Sequence, residues 1–134
     1  MNQFTSEQEK WLTALENGKY KQGKGSLWIL VDGQKCHCCL GVAYEELFPD
    51  SLAMQPLDCR REISDHKVII DDLKLYLRSS TGMFHTDAPA LNGNDCLAEA
   101  NDQGTSFADI AAYIRSYPWA VFTNFNIPTK DQTQ

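Results

Sequence analysis

The sequence predicts a single α+β domain spanning residues 1–134, a small antiparallel β-hairpin or sheet packed with three to four helices. Three observations carry that prediction. Apolar residues recur at helical spacing around Trp11–Leu15 and again around Phe107–Ile114. An Asp32-Gly33 pair separates two short stretches of strand formers, the signature of a tight hairpin. And 134 residues, 43% hydrophobic and 22% charged, suit one hydrophobic core and leave little room for two.

Thr5 with Gln8 and Ser6 with Glu9 form two overlapping capping-box patterns, so a first helix is expected over about 6–17. Trp11, Leu12 and Leu15 are its core face, and Gly18 stands where a C-cap glycine belongs. Residues 18–25 then read as a linker. Ser26 to Asp32 is the first hairpin strand and Gln34 to Cys38 the return. From Cys38, the residues Leu40, Val42, Ala43, Leu47 and Phe48 predict a helix that stops before Pro49.

Residues 49–63 lack periodicity and read as a loop or irregular insertion. Val68-Ile69-Ile70 is a short apolar run, and Leu73 to Leu77 suits a short helix ending near Gly82, with a strand equally compatible. Residues 83–94 are loop-like. Cys96 to Ala100 makes a helical turn broken at Asn101–Gly104. Thr105 or Ser106 then caps a helix carrying Phe107, Ile110, Ala111 and Ile114, which ends before Pro118. Trp119, Val121 and Phe122 fold back onto the core, and 127–134 reads as a frayed tail.

Net charge narrows the partners. At −6 the chain is a poor generic binder of nucleic-acid backbone, which needs a basic surface. No apolar run approaches the ~20 residues that span a bilayer, and the first residues lack the basic and apolar regions of a secretion signal. The expectation is a cytoplasmic protein with no membrane contact.

Five cysteines, at 36, 38, 39, 59 and 96, are an odd number and clustered, which does not suit a disulfide framework. Cys36-His37-Cys38-Cys39 invites a zinc reading, with Cys59, His66, His85 or Cys96 completing it. A second closely spaced ligand pair is missing, so buried free thiols are the preferred reading, with no metal and no cofactor. Cys39 at a helix N-terminus is the one candidate nucleophile, because that position lowers a thiol pKa. It would need a base, and His37, His66 and His85 are the only imidazoles.

Two segments suggest a ligand. Lys19, Lys21 and Lys24 alternate with Gly18, Gly23 and Gly25 without a single acid, a local positive field on an acidic chain. Tyr20 offers a stacking face and Gln22 an amide. The spacing is not that of a Walker A loop. Asn101, Asp102, Thr105 and Ser106 open a helix whose first N–H groups suit a phosphate, with Asp102 suited to ribose hydroxyls. A solvated linker and an ordinary N-cap turn are the structural alternatives.

Three motifs together, Trp11-x-x-Ala14-Leu15-x-x-Gly18-Lys19-Tyr20-Lys21-Gln22-Gly23-Lys24-Gly25, Cys38-Cys39-Leu40-Gly41-Val42 and Asn101-Asp102-x-Gly104-x-Ser106-Phe107-x-x-Ile110-Ala111-x-x-Ile114, resemble a family of small proteins of tailed bacteriophages and prophages. The resemblance covers about half the chain and leaves 49–90 aside. It implies an accessory protein of the bacterial cytoplasm that counters host defence, and it transfers no active site. Joined to the two segments above, the expectation is a non-catalytic homo-oligomer that sequesters an anionic nucleotide-type signal. The alternative is an acidic inhibitor that masks a host defence or nucleic-acid-binding protein.

Overall fold

The computed structural model describes residues 3–50, 67–76 and 87–128, with 67 and 68 as backbone alone. It is an α+β fold. A three-stranded mixed sheet is joined by six helices among the described residues.

Helix α1 (Ser6–Glu16) starts on the capping box that the sequence marks: Thr5 Oγ1 accepts from the Gln8 N–H, and the Thr5 N–H donates to Gln8 Oε1. Gln8 is fully buried and does more than cap. Its Nε2 donates to Leu73 O and to Asn124 Oδ1, both at 2.8 Å, tying the helix to two distant segments. Trp11, also fully buried, donates its indole N–H to Cys39 O at 2.8 Å. The aromatic body fills the core while its one polar atom is satisfied.

Strand β1 (Lys21–Gln22) runs parallel to β3 (Gln34–His37), and β2 (Trp28–Val31) runs antiparallel to β3, giving the order β1-β3-β2. Asp32 and Gly33 both have positive φ, 52° and 78°, as a two-residue turn between right-twisted strands requires. Helix α2 (Cys39–Leu47) follows directly, with Cys38 as its N-cap. Here α2 and the start of β2 touch backbone to backbone: a Cβ on Gly41 would lie 1.9 Å from Leu27 O. Any side chain there forces the two backbones apart.

Helices α3 (Lys67–Leu73), α4 (Leu97–Asp102), α5 (Phe107–Ser116) and α6 (Pro118–Val121) complete the described elements. Ser106 caps α5 through the Asp109 N–H. The core is one cluster in which α1 packs on α2 and α5, α4 packs on α2 and α5, and Val121 and Phe122 fold back fully buried.

Four expectations need correction. Residues 21–22 are not linker but a strand, because a two-residue parallel pair leaves no periodicity to detect. The helix near 70 takes in Ile69 and Ile70, its described span being Lys67–Leu73; it stops at Leu73, where Lys74 turns to φ 57°. Leu75 then bridges to Phe122. Helix α4 runs on through Asn101 and Asp102 instead of breaking there, so these residues belong to a helix and not to a turn. The chain also forms more helices than three or four, and its sheet is mixed. Residues 51–63 of the expected insertion at 49–63, the candidate ligands Cys59, His66 and His85, and the end of the tail lie outside the described residues.

Candidate functional site

The two segments singled out in sequence meet in space. Gln22, leaving β1, donates from Nε2 to Asn101 Oδ1 at 2.9 Å and to Thr105 O at 2.6 Å. Asn101, fully buried, returns a bond from Nδ2 to Gly23 O at 2.8 Å and accepts from the Cys39 N–H at 3.1 Å. One amide side chain thus holds β1, the start of α2 and the end of α4 together. Asp102 Oδ1 accepts the Gly25 N–H at 2.9 Å, and the Gly23 N–H donates to His37 O at 2.7 Å. Thr105 is buried, its hydroxyl accepting from Asn92 Nδ2.

This geometry decides which of the expected ligand contacts are open. The Gly23 and Gly25 N–H groups are consumed internally, so they do not form an anion nest. The Gln22 Nε2, the Asn101 amide and the Thr105 hydroxyl all bond within the protein, to one another and to Gly23, Cys39 and Asn92. Ser106 accepts the α5 cap bond and keeps its own O–H to donate. Lys19 pairs with Glu46 at 2.9 Å. Lys21 and Lys24 are exposed and carry no ion pair among the described residues. The Lys24 ammonium lies 3.9 Å from the position of a Cβ on Gly104, at the α4–α5 junction. Among the described residues, two cations without an ion pair therefore stand at the point where the segments join.

A second polar cluster lies beneath Tyr20. Its hydroxyl donates to Glu46 Oε2 at 2.5 Å, and its ring meets the His37 ring edge-on at 4.9 Å. His37 is buried, 4% exposed, with Nε2 3.1 Å from Glu45 Oε1, an oxygen it shares with Lys35 Nζ. Burial alone would raise both carboxyls. Hydrogen bonds from Lys35 and His37 hold Glu45 below the ordinary range, and those from Tyr20 and Lys19 do the same for Glu46. Burial, with Glu46 beside it, drives the Tyr20 phenol far above its usual value. The cluster as a whole escaped sequence reasoning, though one signal was present. Glu45 and Glu46 stand in the last turn of α2, where the helix dipole disfavours anions, so cations from elsewhere in the chain had to hold them.

The thiols are placed as packing groups. Cys38 Sγ accepts the Gly41 N–H at 3.3 Å, and Cys39 Sγ lies 3.9 Å from Leu97 O. Burial pushes Cys38 up to about 11 and Cys39 well above the usual thiol value, opposing the activation expected at a helix start. Cys36, Cys38, Cys39 and Cys96 are unbridged. Among the described residues no three side chains of His, Cys, Asp or Glu gather as a metal site, and no helix is long and apolar enough to cross a membrane. No family model, curated protein or solved structure matches the chain.

Proposed function

We propose that this chain is a non-catalytic binding protein for an anionic, nucleotide-type small molecule, with Lys21 and Lys24 supplying the positive charge. One observation carries the reading. Segments 78 residues apart are locked together around the buried Asn101 amide, yet among the described residues neither Lys21 nor Lys24 at their junction forms an ion pair, the nearby Asp102 carboxylate accepting the Gly25 N–H instead, on a chain of net charge −6. A linker that only connects elements needs no such field. The high thiol pKa of Cys39 supports binding without chemistry. The Tyr20 hydroxyl and the Gln22 Nε2 already bond within the protein, so base recognition falls mainly to other groups. In the setting that the phage resemblance implies, the ligand is a defence signal captured in the bacterial cytoplasm by a homo-oligomer.

A panel of cyclic and linear nucleotides in thermal-shift assays tests this. Ligand at a hundred times its Kd stabilises by about 2.7 kcal/mol. Indifference to every nucleotide contradicts the reading and favours a second one, protein masking. Leu30 and Val31, 65% and 47% exposed beside Asp32 at the hairpin tip, suit a basic partner with an apolar patch.

A further inference from the structure

Among the described residues, the His37 ring is the one buried titratable side chain with a nitrogen that lacks a hydrogen-bond partner. Glu45 is acceptor-only, which assigns the neutral imidazole its proton on Nε2. Nδ1 is buried and has no hydrogen-bond partner within the protein, the only such side-chain atom among the described residues. The charges that face the ring already balance. From α2 come Glu45 and Glu46; from β3 comes Lys35, on Glu45; from the approach to β1 come Lys19, on Glu46, and the Tyr20 phenol. From β2 the register neighbour is Trp28, and from β1 it is Gln22, both uncharged. A second proton on this ring therefore creates an unbalanced buried cation whose Nδ1–H has no acceptor.

His37 also touches both ends of one segment. Its ring supports Tyr20, and its carbonyl accepts the Gly23 N–H. We propose that His37 is a proton-operated latch on residues 19–25: neutral, it seats Tyr20 against α2, and protonated, it releases that segment. Burial, opposed by the Glu45 hydrogen bond, sets the imidazole below its usual 6.5 in the seated state. The sign follows by linkage. The seated state is fully favoured above the free imidazole value and loses ground as pH falls below it. This holds whether or not the lysines bind an anion.

Amide hydrogen exchange, corrected for intrinsic rates, reads the latch directly. Between about pH 7.5 and about pH 5.5, protection of residues 19–25 falls by up to about tenfold, while α5 keeps its protection. In His37→Gln, which cannot charge, the fall disappears. Should that variant not fold, the wild-type His37 resonance, assigned with His66→Gln and His85→Gln, titrates below 6.5 as the Nε2–H tautomer. Unchanged protection in the wild type, equal loss in α5, a pH effect surviving in His37→Gln, or a midpoint at or above 6.5 overturns the proposal.

Discussion

Residues 19–25 are held at two places by different physics. At Gln22–Gly25 the joint is built mainly of neutral amides around the buried Asn101, and the Asp102 carboxylate adds a single bond at its edge. At Lys19–Tyr20 it is built of two carboxylates, two ammoniums, a phenol and an imidazole. The amide bonds around Asn101 have no proton to gain or lose between pH 4 and 9, so they fix position under all ordinary conditions. The charged joint holds only while its protonation pattern holds. Stiffness and responsiveness are thus separated by about two residues along one segment, and the free lysines sit on the stiff side.

The largest expected effect comes from breaking the neutral joint. Asn101→Ala strands the Cys39 N–H and the Gly23 carbonyl and takes one of two acceptors from the Gln22 amide, which keeps Thr105 O; a buried group left unmade costs about 1–3 kcal/mol. Urea unfolding is expected to show a loss on the order of 3–5 kcal/mol, a large share of a small domain's stability. Gly41→Ala comes next, at about 1–3 kcal/mol, because α2 and Leu27 must separate. On the charged side, Glu45→Gln costs only about 0.5–1 kcal/mol near neutral pH, since Lys35 is more than a third exposed and partly screened. Its pH signature is the sharper test. The Glu45 carboxyl is depressed in the fold, so its contribution is present above the free carboxyl value and is lost as pH falls through the lowered one. Acid denaturation of Glu45→Gln then lacks that component. The smallest effect on stability, within about 0.5 kcal/mol, is expected for Lys21→Ala and Lys24→Ala in the same unfolding assay. Alkylation follows the same division: Cys38 and Cys39 stay unlabelled near pH 8 until the chain unfolds.

What was legible in the sequence was local. The Thr5–Gln8 capping box, the Asp32-Gly33 turn and the Ser106 cap each depend on residues within four of one another, and each forms as read. What was not legible was long-range. Strand β1 exists because β3, whose paired residues lie fifteen positions on, offers an edge. Asn101 looked like a turn residue because Asn favours turns, whereas here its amide partners lie 62 to 79 residues off and hold it in a helix. The seven-residue run from Lys19 to Gly25 read as one basic loop. Only the fold shows that Glu46 takes Lys19 and leaves Lys21 and Lys24.

Calorimetric titration of the wild type and of the Lys21→Ala, Lys24→Ala double variant with the nucleotide that shifts the melting temperature is the most direct test. Each charge-assisted contact to phosphate contributes about 1.5–3 kcal/mol, and about 1.4 kcal/mol is one decade of affinity. At least a tenfold loss is expected for either lysine and a far larger loss for both, with folding unchanged. Undiminished affinity in the double variant contradicts this, and removes the junction of the two segments from the binding site.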